Sequence, residues 1–282
     1  MMQTALIRLT QHLIPKNLSS AVVYRATRSR RPWLKRPLVR WFAKAYRVDL
    51  SDAANADLES YETFNDFFTR ALKAGARPIE GGADTVVAPA DGVLTEHGPI
   101  DGGTIYQAKG SAYTLAELLG ETGSSLDALE GGRYFTIYLA PHNYHRVHSP
   151  LDARLVRARY LPGARFSVSR ATVAAIPRLF CRNERVALWF ETERGPMVVV
   201  LVGALNVSSL STFAHGEIAS GAAREWVEGT PRPVARGDEI GRFNMGSTVV
   251  VLLGSRAFEF SPGVADGLAV RVGRALGAFA GG

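Results

Sequence analysis

Apolar and polar positions along the chain change rhythm near residue 70. Before it, Leu34, Leu38, Trp41, Phe42 and Ala45 recur at i, i+4, i+7, i+8 and i+11, while Arg36, Arg40, Lys44 and Arg47 share another face. That spacing predicts an amphipathic basic helix. Leu6, Leu9, Leu13 and Ile14 make an earlier, weaker stripe. Thr63, followed three residues on by Asp66, predicts a capped short helix through FNDFF at 64–68. Beyond it, segments 85–88, 134–140, 187–191, 197–202 and 248–253 are short, rich in β-branched and aromatic residues, and separated by Gly, Pro and Asp. They predict strands across 85–255, with helix at 117–119 and 262–280. The expected fold class is α+β, a mainly antiparallel β-sandwich or barrel over 73–282 behind an N-terminal helical region over 1–72.

Composition agrees with a packed core: 282 residues, 46% apolar and 21% charged, which excludes a disordered chain. No apolar run reaches the roughly 18 residues of a membrane-spanning helix. The start lacks the basic, apolar and small-residue blocks of a secretory signal. One cysteine, Cys181, excludes an intramolecular disulfide and any CxxC site.

Charge changes the picture. Residues 1–48 carry eleven basic residues and no acid, leaving 22 basic against 26 acidic residues in the remainder. The positive excess at one end points to an anionic partner there. With Trp33, Trp41, Phe42 and Tyr46 beside the charge, the region reads as a segment lying in the surface of an anionic membrane. A helix packed on its own domain with a solvated basic face, and an Arg-rich transit peptide, are the other readings. No helix-turn-helix, finger or RRM signature accompanies the charge, so nucleic acid is not expected.

Candidate chemistry gathers in three places: PADG at 89–92, HNYHRVH at 142–148 and MGST at 245–248. The histidine spacing puts no three ligands on one strand face, and no HExxH accompanies it, so no metal is expected. The order Asp91, His148, Ser247 permits an orienting carboxylate, a base and a nucleophile on separate strands, which would suit a serine hydrolase. There is no GxSxG elbow.

Taken together, YHRVHSP at 144–150, PADG at 89–92, NER at 183–185 and GRFNMGST at 241–248 resemble the phosphatidylserine decarboxylases. FNDFF at 64–68, QAKG at 107–110, YLPG at 160–163 and GPMVVVLVGA at 195–204 extend the likeness to about residue 255, with a weaker likeness over 10–50. The resemblance implies a proenzyme that cuts itself between Gly246 and Ser247 into chains 1–246 and 247–282, which stay together as a heterodimer able to dimerise further. It implies Ser247 as nucleophile, His148 as base and Asp91 as the group orienting it. Ser247 would become a covalent pyruvoyl group that forms a Schiff base with phosphatidylserine, and His145 would be the proton donor that completes phosphatidylethanolamine. His142 has no role in the pattern. The implied place is the cytoplasmic face of the cell membrane, held peripherally through the basic region. An intact serine hydrolase and a noncatalytic anionic-lipid-binding protein are the alternatives. Phe166, Val168 and Phe180 are apolar neighbours of these motifs and are expected in the core.

Overall fold

The computed structural model describes residues 16–108, 111–205, 209–245 and 247–280. At its centre is an eight-stranded sheet in the order Arg224–Val234, Ala153–Leu161, Arg185–Thr192, Gly195–Gly203, Ser247–Leu253, Arg133–Leu139, Gly92–Pro99 and Ala269–Val270. Every pairing in it is antiparallel. The middle strands are Val and Leu runs. Val198, Val199, Val200, Leu201 and Val202, like Val249, Val250, Val251 and Leu252, are fully buried, because the sheet is covered on both faces there; hence an unbroken apolar run instead of alternation. The outermost strand Arg224–Val234 is mostly exposed. Pro231, Pro233 and a register shift between Val227 and Arg232 keep that edge from templating another chain.

A four-stranded sheet carries Gly216–Ile218, Leu210–Thr212, Glu239–Phe243 and Arg146–His148. Three strands, Thr85–Val87, Ala275–Phe279 and Phe258–Phe260, form another sheet, and Thr104–Ala108 pairs with Ser111–Thr114. The architecture is thus mainly antiparallel β with short helices, and among the described residues the strands do not close into a barrel. A helix at Leu115–Leu119 contains the expected 117–119 segment.

The expected helix at 262–280 is absent; the segment forms the strands Ala269–Val270 and Ala275–Phe279. Its alanines suggest helix, but Gly263, Gly267 and Gly273 take φ of +88°, +93° and +86°, which breaks any helix into turns. The segment is held up to residue 280, the Phe279 amide donating to the Asp84 carbonyl and the Ala280 amide to the Ala257 carbonyl.

At the other end, helices Lys16–Thr27 and Pro32–Ala45 precede the Phe64–Phe68 helix. The last has the expected cap: Thr63 Oγ1 accepts from the Asp66 amide and Asp66 accepts from the Thr63 amide. Val39 and Phe42 are buried against Phe64, Phe67 and Phe68, with Phe42 centred 5.1 Å from Phe64 and 5.8 Å from Phe68 in edge-on contacts. Part of the apolar stripe read from the sequence as membrane-facing is therefore spent inside the protein. Trp33 and Trp41 are left outside, 69% and 60% exposed. The basic face is partly answered as well: Arg36 and Arg40 both reach Glu59, Arg30 reaches Glu62, and the Lys35 ammonium donates to the Glu59 and Tyr61 carbonyls. The stripe Leu6, Leu9, Leu13 and Ile14 lies outside the described residues. Among the described residues no helix is long and apolar enough to cross a membrane.

This packing separates two neighbouring aromatics. In a Ser247→Ala chain, Phe42→Ala should lower stability by about 3 kcal/mol or more, whereas Trp41→Ala should change it by no more than about 0.5 kcal/mol. Urea unfolding curves of both variants check this; equal losses would mean that the helix is not docked as described.

Candidate active site

The topology brings distant motifs to one end of the main sheet. Strand Arg133–Leu139 pairs with Ser247–Leu253, and Arg146–His148 pairs with Glu239–Phe243. The connection at 140–145 and residues 244–245 thus adjoin the ends of paired strands, so they run side by side. The Phe243 amide donates to the His145 carbonyl at 3.0 Å, which ties them together.

Across the sheet, Ser247 lies opposite Leu139 on one side and Gly203 on the other. The Gly203 amide donates to the Glu184 carbonyl, and Asn183 Nδ2 donates to the Gly203 carbonyl at 2.8 Å. On the far side of Leu139, Val93 pairs with Tyr138 and Gly92 with Val270. The PADG, HNYHRVH, NER and MGST segments, scattered over some 160 positions of sequence, therefore end in one row. Gly246 lies outside the described residues, and for Ser247 the backbone alone is described. Just before them, Met245 sits at φ +120°, a costly conformation for a side chain of its kind. It packs on the aromatic cluster of Phe64, Phe67 and Phe68. Asn244, which accepts from Asn65 and donates to Ser209 and Ser211, pins the turn from the other side.

The two histidines share one device. His145 is fully buried, and its Nδ1 lies 2.8 Å from the Asn143 carbonyl. A carbonyl can only accept, so Nδ1 carries the proton and Nε2 keeps a lone pair. That Nε2 is buried and without a hydrogen-bond partner among the described residues, while the ring lies 4.0 Å from the Phe68 ring. Burial, with the Arg70 charge adding to it, pushes the His145 pKa down to about 3.

His148 repeats the arrangement. Its Nδ1 lies 2.7 Å from the Gly237 carbonyl and its Nε2 lies 2.9 Å from the Tyr144 hydroxyl. Tyr144, whose pKa burial pushes up to about 12, stays protonated and donates to the imidazole. Burial lowers the His148 pKa too, against the raising influence of the Gly237 hydrogen bond and of the Glu239 and Asp91 charges. Both rings are therefore neutral at pH 7, each with an Nε2 lone pair, the form a general base requires.

Asp91 stands differently from the expectation. Its carboxylate takes a two-pronged contact from Arg77, at 3.0 Å to Oδ1 and 2.6 Å to Oδ2, and accepts from the Val272 amide at 2.9 Å. Both ring nitrogens of His148 have other partners, so the Gly237 carbonyl, and not Asp91, holds the tautomer here. Asp91 acts on His148 through space, its charge favouring the imidazolium. The two are nonetheless tied through the backbone, since the His148 amide donates to Pro89, two residues before Asp91.

Tyr144, Gly237, Arg77 and Arg70 are the neighbours of the candidate residues that sequence reasoning missed. Tyr144 lay inside a quoted motif, so its position was visible while its role was not. Gly237 carries a usable signal. It takes φ +92° in a turn held by Ser149, which donates its amide to Asp238 and accepts from the Gly237 amide. A side chain there would strike Ile79. His142 lends its carbonyl to Arg70. Phe166, Val168 and Phe180 are buried as expected, and the last two also border a cavity of about 310 Å³ with Tyr138 and Thr248.

Buried neutral histidines leave a signature. His145 gains a proton in the unfolded chain near pH 6.5 but not in the folded one until about pH 3. Stability is therefore fully present above about pH 6.5 and falls below it, by up to about 1.4 kcal/mol per pH unit from this group. Denaturation midpoints of the Ser247→Ala chain from pH 7.5 to 5 should show that fall, and a second substitution, His145→Asn, should flatten it. An unchanged slope would contradict the buried neutral ring.

The chain as a whole is similar to known proteins. A profile of the phosphatidylserine decarboxylase family matches residues 64–278, and one described as PSD matches residues 6–47. The likeness thus runs past residue 255, where the sequence reading ended it. The phosphatidylserine decarboxylase proenzyme of Methylococcus capsulatus is 46% identical over 271 residues, spanning 95% of this chain and 94% of that protein. Those of Ectopseudomonas mendocina and Acidovorax ebreus are 44% identical over 283 residues and 46% over 272, spanning 98% and 95% of this chain and 99% and 95% of those proteins. With identity of this level running almost end to end, the chain belongs to the phosphatidylserine decarboxylase family.

Proposed function

We propose that this chain is a proenzyme that severs its own Gly246–Ser247 bond and then decarboxylates phosphatidylserine to phosphatidylethanolamine. The observation that carries the reading is the meeting, at one end of the sheet, of the start of strand Ser247–Leu253 with two neutral histidines bearing free or displaceable Nε2 lone pairs.

Ser247 Oγ attacks the Gly246 carbonyl, the new C–O bond replacing the C–N bond, and His148 Nε2 takes the hydroxyl proton and returns it to the freed amine. Tyr144 must yield that nitrogen or relay the proton. The imidazolium formed is favoured by Asp91 and Glu239, and the strained Met245 turn lies beside the bond that opens. His148, neutral again, then takes the Ser247 α-proton, and the Cβ–Oγ bond of the ester breaks. Gly246 departs as a carboxylate, and the unsaturated residue takes up water and releases ammonia.

The residues fit the pyruvoyl group that results: its position lies beside the connection that bears His145, whose buried Nε2 lacks a partner. When formed, the group supplies an electron sink for the pair left by departing carbon dioxide. His145, neutral in the folded chain, must first be loaded. It accepts at Nε2 the proton that the substrate ammonium gives up, and delivers it to the α-carbon after carbon dioxide has left.

Cleavage would not separate the pieces. Strand Ser247–Leu253 is paired along its whole length on both sides, so the 247–282 chain is the middle of the sheet and stays with 1–246. The helical region 1–72 would serve as the membrane-associating part and 73–282 as the catalytic part. A diacyl substrate favours an enzyme that comes to the bilayer, and Trp33 and Trp41, exposed beside Arg and Lys, suit the headgroup boundary of an anionic, cytoplasmic membrane face.

Denaturing mass measurement tests the chemistry. The purified protein should give two chains, the smaller about 17 Da lighter than residues 247–282 as encoded. Ser247→Ala and His148→Ala should stay uncut, while His145→Ala should be cut yet release no carbon dioxide from phosphatidylserine. A single intact chain that reacts with fluorophosphonate would replace this reading with a serine hydrolase.

Vesicle flotation tests the membrane part. Binding of the Ser247→Ala chain should rise with phosphatidylserine content, weaken with salt, and fall further when Trp33 and Trp41 are both made Ala. Binding unaffected by lipid charge, salt and these tryptophans would exclude this surface.

A further inference from the structure

A buried cation near the histidines makes no ion pair among the described residues, and the Asp91 and Asp49 charges reach it only from a distance. Arg70 follows the Phe64–Phe68 helix and is only 5% exposed. Nη2 donates to the His142 carbonyl at 3.1 Å, and Nε is buried with no hydrogen-bond partner among the described residues. Buried charges are as a rule paired, because taking a guanidinium out of water costs several kcal/mol. Arg70 borders a cavity of about 580 Å³ that Arg47, Asn143, Tyr144 and Asp91 also line. The acids of that cavity are engaged elsewhere. Asp91 and Asp52 hold Arg77, Asp49 accepts from the Ser51 amide, and Glu80 accepts from the Ala275 amide.

We propose that Arg70 and the cavity it borders bind a phosphate-type anion, the phosphodiester of the phospholipid substrate. The proposal rests on the decarboxylase reading for the identity of the ligand. It takes its position from the structure: Arg70 grips the connection that carries Tyr144 and His145, and its charge is felt by His145. The phosphodiester is a better partner than the substrate carboxylate. A carboxylate loses its charge as carbon dioxide leaves, so a guanidinium on it would stabilise the starting state and slow the reaction. The phosphodiester keeps its charge throughout, and only two carbons separate its ester oxygen from the reacting amine. Gripping it holds the headgroup in register at no cost to the chemical step.

Uniform binding of this kind appears in KM and not in kcat. Arg70→Gln should still be cut between residues 246 and 247. Its KM for phosphatidylserine in mixed micelles should rise at least about tenfold with kcat changed less than about threefold, and Arg70→Lys should fall between the two. A fall in kcat with KM unchanged would overturn the proposal. The uncut Ser247→Ala chain, which already has the cavity, gives an independent readout. Glycerophosphoserine should raise its melting temperature and leave the Ser247→Ala, Arg70→Gln chain unmoved. Without ligand the double variant should melt no lower, because an unpaired buried charge has been removed. An equal shift in both chains, or none in either, would refute the site. An equal shift from inorganic phosphate at the same concentration would assign it to free phosphate and overturn the lipid assignment. A glycerophosphoserine shift in an enzyme that releases no carbon dioxide would leave the anion site standing while the decarboxylase reading fell.

Discussion

The strand Ser247–Leu253 is held on both edges at once, by Arg133–Leu139 and by Gly195–Gly203, and the rest of the site follows from that constraint. A chain end created by cleavage is ordinarily the part of a protein that frays. Here the residue that would become an end starts a strand with neighbours on either side, in a region where the side chains from Thr248 onward are buried. Ladder hydrogen bonds and both-face burial fix the backbone of residue 247 before and after any cut. The reactive group would be as well placed in the two-chain protein as in the intact one. The same pairing determines which loop lies beside it, because the strand leading to the histidines is the strand that Ser247 faces.

Around that fixed point the polar groups are arranged so that lone pairs, not protons, face the chemistry. Backbone carbonyls at Asn143 and Gly237 take the Nδ1 proton of each histidine, and burial keeps the rings neutral. A carboxylate partner would have done the same for the tautomer but would also have raised the pKa toward an imidazolium at rest. A carbonyl orients without bringing a full charge. Asp91, locked to Arg77, contributes its field at a distance, which raises the His148 pKa without overcoming the lowering by burial. The two histidines diverge through what meets Nε2. For His148 it is a phenol that burial keeps protonated; for His145 no partner meets it.

Much of the fold was legible because periodicity reports burial. The Val-rich runs at 197–202 and 248–253 read as strands and lie at the middle of the sheet, and the Thr63–Asp66 spacing read as the cap it is. What periodicity cannot report is the identity of the covering surface. The stripe of Leu34, Leu38, Trp41, Phe42 and Ala45 announced an apolar face, but only the fold divides it between Phe42, buried on the FNDFF helix, and Trp41, left outside. The alanines of 262–280 suggested helix, yet the glycines between them serve turns and a close approach, the Cβ position at Gly277 being occupied by the Glu259 carbonyl. For the candidate site residues the sequence offers types but not pairings. Sequence order placed Asp91, His148 and Ser247 in one constellation. That Arg77 would claim Asp91, or that a glycine carbonyl 89 positions away would hold His148, depends on contacts no local pattern encodes.

The N-terminal charge shows the same limit at a larger scale, and it bears on how such a protein would meet a bilayer. Eleven basic residues without an acid suggest a uniformly positive surface, yet Glu59, Glu62 and Glu217 answer Arg36, Arg40, Arg30 and Arg28. Exposed ion pairs of this kind add little stability, about 0 to 1 kcal/mol each, but they lower the net field on that side. Electrostatic attraction would thus come from fewer cations than the composition suggests, at roughly 1 kcal/mol each near an anionic surface. Trp33 and Trp41 then gain weight, since burying an aromatic at the headgroup boundary does not depend on net charge and survives salt. A modest attraction combined with apolar contacts suits an enzyme that consumes the very anionic lipid drawing it in. On an attachment of that kind, the electrostatic share would decline as phosphatidylserine becomes zwitterionic phosphatidylethanolamine, while the tryptophan share would persist.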